Sequence, residues 1–223
     1  YTDAVHNYFS CIFSPFKSYV LEGLEKLGAL DVELACTSHG PILTRGHEYE
    51  KNIERYRSWA TPDPCAHKRI PVFYCSAYGN TEQLATHVAH GVSQAQPTAE
   101  VRCYDLIEHP LSELTAILNE SDAFLIGSPT INRDALPPVW NLLAGVDAVA
   151  IAKRPAALFG SYGWSGEAIP HLTERLQSLK VAVFESTLKV AFTPTAEDLA
   201  AAEALGLAFG ESLGVAARVG CPQ

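Results

Sequence analysis

The sequence predicts an α/β fold with a doubly wound, five-stranded parallel sheet over residues 70–223. Short apolar runs alternate there with amphipathic segments of helical period, which is typical of strands covered by helices on both faces. Five strand–helix cycles in about 150 residues match the smaller doubly wound sheets. In such a sheet, ligands bind beyond the carboxyl ends of the strands, so we expect the functional loops there.

The elements of this region follow from apolar periodicity and its turn signals. The predicted strands cover residues 70–75, 100–104, 123–127, 156–160 and 181–190, the last with an internal break. Helices are predicted to begin near Thr81, Leu111, Leu136, Glu167 and Ala196.

Residues 1–60 have a different pattern, and the proline-containing polar stretch 61–69 is predicted to be a linker. Upstream, Ser14 and Pro15 predict an N-cap and first turn of a helix that ends at Gly28. A strand is predicted from the alternating residues Val32, Leu34 and Cys36. A second helix is predicted from the mostly aromatic stripe formed by Tyr49, Ile53, Tyr56 and Trp59. So short a segment buries too little to be stable alone, so we expect it to end a larger domain. Because the chain begins with Tyr1 and contains no methionine, we expect a fragment of a longer product.

Composition and charge exclude several functions. Sixteen basic and 25 acidic residues give a net charge of −9, which disfavours binding to nucleic acid backbones. No apolar run approaches the roughly 18 residues of a membrane span, and no secretory signal is present. We therefore expect a cytoplasmic protein that binds neither nucleic acid nor a membrane.

The six cysteines include no CxxC pair, which argues against a zinc clasp.

The first strand-to-helix loop has the composition of a phosphate site. It reads Ser76-Ala77-Tyr78-Gly79-Asn80-Thr81. Small and hydroxyl side chains let backbone N–H groups surround a phosphate at the positive end of a helix. Because the spacing departs from both GxGxxG and GxxxxGK[ST], a monophosphate fits better than a dinucleotide or a nucleoside triphosphate. An ordinary N-cap and turn is the alternative interpretation.

Two further loops carry candidate residues for binding a planar ring. The candidates of the third loop are Ser128, Pro129, Thr130, Ile131 and Asn132, and those of the fourth loop are Ser161, Tyr162, Gly163, Trp164 and Gly166. Two aromatic side chains among glycines favour a stacked heterocycle, and the glycines let backbone groups approach its polar edge. The alternative is that Trp164 packs against the following helix as part of the core.

Together these loops resemble the phosphate loop and the two isoalloxazine loops of the flavodoxin family. More narrowly, the strings YGNTEQLA, GSPTIN and FGSYGWSGEA are similar to the flavodoxin-like domain of flavodiiron proteins, which follows a metallo-β-lactamase-like diiron domain. The resemblance covers residues 70–223 and implies non-covalently bound FMN. Many relatives have an aromatic residue where this chain has Ile131, so stacking is expected from Tyr162 or Trp164.

The upstream string Thr37-Ser38-His39-Gly40-Pro41 resembles the loop that carries the last histidine ligand of the diiron site. His39 is the matching residue, although a single histidine in a polar loop is more often structural. The other ligands of the family would precede Tyr1. We therefore expect the diiron centre only in the intact protein and no dioxygen reduction by this chain alone.

The resemblance implies the FMN-binding electron-transfer module of an oxygen and/or nitric oxide reductase. It further implies a rubredoxin-type or flavin-reductase donor and a head-to-tail homodimer of the intact protein. Three other functions remain open: a stand-alone flavodoxin-type electron carrier, a flavin-dependent NAD(P)H:quinone oxidoreductase, and an interaction module without flavin.

Overall fold

The computed structural model describes residues 1–62 and 67–214. Positions 63–66 of the predicted linker and positions 215–223 of the predicted flavodoxin-like domain lie outside the described residues. The described chain divides into two compact units, residues 1–62 and residues 67–214.

The first unit is built from helices and one short hairpin. Its elements are α1 (Thr2–Tyr8), a π-helical segment (Phe9–Phe13), a 3-10 turn (Ser14–Phe16), α2 (Lys17–Gly28), β1 (Leu34–Ala35), β2 (Leu43–Thr44) and α3 (Glu48–Ala60). The buried ring of Phe9 packs against Tyr56 and Trp59, with centroid distances of 5.2 and 5.4 Å. The predicted second helix is therefore confirmed, and its aromatic stripe faces the N-terminal segment.

Two predictions for this unit are wrong. Ser14 does not cap α2, because it has helical φ and ψ angles of −53° and −38° and so cannot adopt the extended backbone of an N-cap. The predicted strand is reduced to Leu34–Ala35, which pairs only with β2. Leu34 and Cys36 are exposed, so their alternation does not mark a buried face.

The second unit is a sheet between two helical layers. Its strands are β3 (Arg69–Tyr74), β4 (Glu100–Asp105), β5 (Phe124–Ile131), β6 (Asp134–Ala135), β7 (Pro155–Tyr162), β8 (Ala182–Val183) and β9 (Leu188–Ala191). Its helices are α4 (Asn80–Ala95), α5 (Leu111–Glu120), α6 (Pro137–Gly145), α7 (Ala148–Ile151), α8 (Ala168–Ser178) and α9 (Ala196–Ser212). None of the described helices is long and apolar enough to cross a membrane.

The sheet confirms the predicted doubly wound fold. Its parallel strands have the order β4-β3-β5-β7, and both β8 and β9 pair in parallel with the outer side of β7. The predicted fifth strand is thus divided into two short strands. The antiparallel strand β6 and the short helix α7 were not predicted from the sequence.

Both faces of the sheet are buried. On one face, Phe73 and Phe124 pack with apolar residues of α5, α6 and α8, and on the other face Val72 and Phe159 pack with α4 and α9. Because helices cover both sides, the central strands are continuous apolar runs rather than alternating ones. The binding loops project from this rigid layer.

Helices α4 and α9 are in backbone contact at two glycines. A Cβ atom on Gly206 would lie 2.0 Å from the carbonyl oxygen of Val88, and one on Gly91 would lie 2.0 Å from the carbonyl oxygen of Glu203. No larger residue fits at either position without moving a helix. This contact fixes the position of α4 against α9. The first turn of α4 begins at the predicted phosphate loop.

We expect Gly206→Ala to lower the free energy of unfolding of the second unit by about 1–3 kcal/mol, because the added methyl group overlaps backbone rather than a movable side chain. Urea denaturation measures this difference. The matched control is Ala208→Leu on the exposed face of the same helix, where a change within about 0.5 kcal/mol is expected. Unchanged stability of Gly206→Ala would contradict the backbone contact.

Candidate functional site

The parallel sheet brings the three predicted loops to one edge. Tyr74 at the end of β3 pairs with Gly127 of β5, and Thr130 near the end of β5 pairs with Tyr162 at the end of β7. The first, third and fourth loops therefore emerge from neighbouring strands on the same side. This is the edge at which doubly wound sheets bind ligands.

The first loop leads into an open helix N-terminus. Gly79 occupies the N-cap position of α4 with a φ of +78°. Because it is a glycine, this position supplies no side chain to cap the helix within the described part of the chain. Ser76 Oγ lies 3.4 Å from the backbone nitrogen of Glu82, at the long limit of a hydrogen bond. A Cβ atom on Gly79 would meet open space. Free N–H groups and the helix dipole thus favour an anion at this position.

A buried hydroxyl pair connects the first loop with the fourth. Thr81 Oγ1 lies 2.9 Å from Ser161 Oγ, and the two residues are 0 % and 6 % exposed. Each hydroxyl has one proton, and their mutual bond uses only one of the two. The other proton is available to a third acceptor, such as an anion bound at the start of α4.

The third loop is a tight β-hairpin turn. Strands β5 and β6 pair through Ile131 and Asp134, which leaves Asn132 and Arg133 as the two turn residues. Their φ angles are +54° and +60°, as in the type I′ turns that two-residue hairpins prefer. Ile131, Asn132 and Arg133 are the residues of this loop that face solvent.

The hydroxyl groups of the third loop bond within the protein. Ser128 Oγ donates to the carbonyl of Pro129 at 2.9 Å and accepts from the Leu136 N–H at 3.2 Å. Thr130 Oγ1 accepts from the Ala168 N–H at 3.3 Å. Ser128 and Pro129 are buried, so they determine the shape of the loop.

Exposed apolar side chains surround the same edge. Trp164 is 97 % exposed, Tyr78 86 %, Phe192 68 % and Ile131 43 %. The alternative of a Trp164 packed in the core is therefore wrong. Tyr162 is half-buried and lies against Gly166, at which a Cβ atom would be 3.3 Å from its ring. Aromatic surface on this scale at one edge is costly unless a flat ligand or a partner covers it.

Sequence reasoning missed Phe192. This residue directly follows β9, has a φ of +60°, and its N–H donates to the Tyr162 carbonyl at 2.8 Å. Its ring lies 3.7 Å from the position of a Cβ on Gly163, so it borders the fourth loop. An aromatic residue directly after the predicted fifth strand was the available signal.

Charged groups link the β5–β6 hairpin with the start of α8. His171 Nδ1 lies 3.1 Å from Asp134 Oδ1. Burial by itself would raise the pKa of Asp134, but hydrogen bonds from His171 and the Ala135 N–H outweigh it and hold this pKa below its usual value. The pKa of Glu167 is also lowered, mainly by the hydrogen bond from Ser165 and to a smaller extent by the charge of Arg133.

His39 belongs to the first unit, where it occupies the turn between β1 and β2. It is exposed, and its ring centroid lies 5.8 Å from that of Tyr8. Among residues 1–62 and 67–214, no group of three or more His, Cys, Asp or Glu side chains is arranged to hold a metal ion.

Comparisons with known proteins identify relatives for both units. The flavodoxin family matches residues 72–206. The flavo-diiron protein FprA2 of Clostridium acetobutylicum is 44 % identical over 213 residues, which are 96 % of this chain and 53 % of that protein. The type A flavoprotein fprA of Rhodobacter capsulatus is 35 % identical over 92 % of this chain and 48 % of its own. The chain therefore spans about half the length of the curated relatives it matches.

Solved structures are also similar to this chain. Rubredoxin oxygen:oxidoreductase from Desulfovibrio gigas is similar with a TM-score of 0.70 and 25 % identity, over 92 % of this chain and 51 % of that chain. Flavodoxin 1 from Bacillus cereus is similar with a TM-score of 0.55 and 28 % identity, over 64 % of this chain and 97 % of its own.

We expect Thr81→Val and Ser161→Ala each to lower the free energy of unfolding by about 1–3 kcal/mol, because each leaves a buried hydroxyl without its partner. The double variant should lose less than the sum of the two single variants, which a double-mutant cycle measures by denaturation. Thr86→Val, at an exposed threonine of the same helix, is the matched control and should change little. Strict additivity would show that the two hydroxyls do not interact.

Proposed function

Because the chain belongs to the flavodoxin family over residues 72–206, we propose that its second unit binds FMN at the carboxyl edge of the sheet and transfers electrons through it. FMN is the cofactor that family membership implies. The observation that carries the proposal is the meeting of an open helix N-terminus and an exposed aromatic rim on three neighbouring loops.

The first loop fits the phosphate of FMN. Backbone N–H groups at the start of α4 and the side chains of Ser76 and Asn80 are the proposed donors, and Ala77 and Gly79 leave space for the phosphate. The Thr81–Ser161 pair supplies a further donor. Hydroxyl, amide and backbone donors at a helix N-terminus suffice for a phosphate without a lysine in the loop.

The third and fourth loops fit the isoalloxazine ring. We propose that Trp164 or Tyr162 stacks on one face, while Ile131 and the turn at Asn132 cover the other. Gly163 and Gly166 admit backbone groups to the polar edge of the ring, while Pro129 and Thr130 hold the third loop in shape. Tyr78 of the first loop adds exposed apolar surface, and so does Phe192, which the loop motifs did not indicate.

Bound FMN supplies reversible transfer of one or two electrons. The residues of this chain bind the flavin, orient it and exclude water from part of it, and no side chain is assigned the role of acid, base or nucleophile. We propose a rubredoxin-type or flavin-reductase donor for these electrons.

We further propose that the intact protein is a head-to-tail homodimer that passes the electrons to a diiron site and reduces dioxygen and/or nitric oxide. The names of two relatives, a flavo-diiron protein and a rubredoxin oxygen:oxidoreductase, support this assignment. The position of His39 between β1 and β2 is consistent with the proposed metal-ligand loop. Oxygen-electrode and nitric oxide-electrode assays of the longer protein with a reducing donor test the activity.

The purified chain should bind one FMN, seen as a visible absorption spectrum with the released chromophore counted against protein. Trp164 is fully open to solvent, so its fluorescence should be quenched when FMN binds. A chain that stays colourless after FMN is added would overturn the proposal. Steady NADH oxidation by a quinone without a partner protein would instead indicate a quinone oxidoreductase.

Two variants separate the phosphate site from the ring site. Thr81→Ala should weaken FMN binding by about 1–3 kcal/mol through a lost hydrogen bond and leave riboflavin binding nearly unchanged. Trp164→Leu should weaken both ligands equally, by about 0.5–1.5 kcal/mol. Tyr19→Leu, at an exposed aromatic residue of the first unit, is the control in isothermal titration calorimetry. Equal loss of both ligands in Thr81→Ala would remove the first loop from the phosphate site.

A further inference from the structure

We propose that Arg133 raises the reduction potential of the bound flavin by holding an unneutralised positive charge at the ring end of the site. The proposal rests on the proposed FMN site and adds to it a tuning residue that the loop motifs did not identify. Three observations carry it: the backbone conformation of Arg133, the pairing of the surrounding charges, and the place of the turn on the sheet.

The first observation is that Arg133 occupies a backbone position that favours glycine. Its φ of +60° is the second of two successive positive values in the turn between β5 and β6. Asn132, with a φ of +54°, is a residue type that tolerates this region, whereas arginine gains nothing from it. Arginine therefore stands here at a backbone cost that glycine would not incur.

The second observation is that the carboxylates around Arg133 are bonded to other groups. Asp134 accepts from His171 at 3.1 Å, and Glu167 accepts from Ser165 at 2.6 Å. The charge of Arg133 reaches Glu167 through space, but within the described residues no carboxylate lies at ion-pair distance from it. The guanidinium is exposed and keeps its charge for a ligand.

Four of the other described arginines are paired with carboxylates, while Arg154 and Arg175 donate to backbone carbonyls. Arg45 pairs with Asp31, Arg55 with Glu48, Arg69 with Glu120 and Arg102 with Glu100. These pairs stand on surfaces to which no ligand is assigned. Unlike these four, Arg133 has no carboxylate at ion-pair distance within the described residues, although the chain has a net charge of −9.

The third observation is the location of the turn. Thr130 pairs with Tyr162 of the fourth loop, so the hairpin that carries Arg133 stands beside the proposed ring site and not beside the phosphate loop alone. Uptake of two electrons and one proton from an external donor leaves one additional negative charge on the flavin ring. A nearby cation stabilises that charge and favours the reduced form.

The test is a potentiometric titration of FMN bound to the wild-type chain and to Arg133→Gln, Arg133→Lys and Arg133→Gly. We expect Arg133→Gln and Arg133→Gly to lower the ratio of reduced to oxidised flavin at a given ambient potential about three- to tenfold, which is about 15–30 mV for a two-electron couple. Arg133→Lys should keep the wild-type potential. The difference should shrink at high salt, because the group is exposed.

Two controls separate charge from backbone effects. Lys153→Gln removes an exposed cation that also has a positive φ, +64°, but stands before β7 at the opposite edge of the sheet, so the potential should not change. Lys153→Gly relaxes a backbone of the same kind away from the site and should also leave the potential unchanged. Arg133→Gly should make the protein more resistant to denaturant and at the same time lower the potential, a combination that a merely structural role does not produce.

An unchanged potential in Arg133→Gln, or an equal shift in Arg133→Lys, would overturn the inference while leaving the FMN site intact. A loss of FMN affinity without any effect on riboflavin would place Arg133 at the phosphate and would also overturn it. If the wild-type chain binds no FMN, the proposed function itself fails, and the two failures are thereby distinguished.

Discussion

Parallel pairing of β3, β5 and β7 is the constraint on which the second unit depends. Parallel neighbours need crossover helices, and these cover both faces of the sheet and leave only its ends open. The loops that follow the carboxyl ends of these strands therefore all emerge at the same edge of the sheet. The hydroxyl pair of Thr81 and Ser161 acts across this edge, since it joins loops that are distant in sequence and follow the strands on either side of β5.

The order of strands and helices could be predicted because both signals are local. Apolar runs such as 123–127 and the helix starts near Thr81 and Ala196 are set by periodicity and turn residues, and they lie within a few residues of the observed elements. The resemblance to flavodiiron proteins is confirmed by the relatives of the chain. The predicted N-cap at Ser14 fails because the helical backbone of the preceding segment continues through Ser14.

The site could be predicted only as far as its loops. Residues of the loop motifs, such as Gly79 and Trp164, follow the carboxyl ends of parallel strands, and the topology alone places them at one edge of the sheet. Phe192 reaches the site because β9 pairs with β7. The sequence does not specify this pairing, since the predicted fifth strand is broken into two short strands. Which hydroxyls bond inside the protein, as that of Ser128 does, depends on distances between segments and not on spacing along the chain.

The backbone contact between α4 and α9 has a consequence for the order of folding during synthesis. Helix α4 is synthesised well before α9, the helix that packs against it and the last one of the described chain. The glycine contact of Gly91 and Gly206 joins residues far apart in sequence, and such nonlocal contacts slow folding. Until α9 is synthesised, the face of the sheet that it shares with α4 is only partly covered and prone to misassembly, so this unit is expected to depend on chaperones more than a domain closed by local contacts.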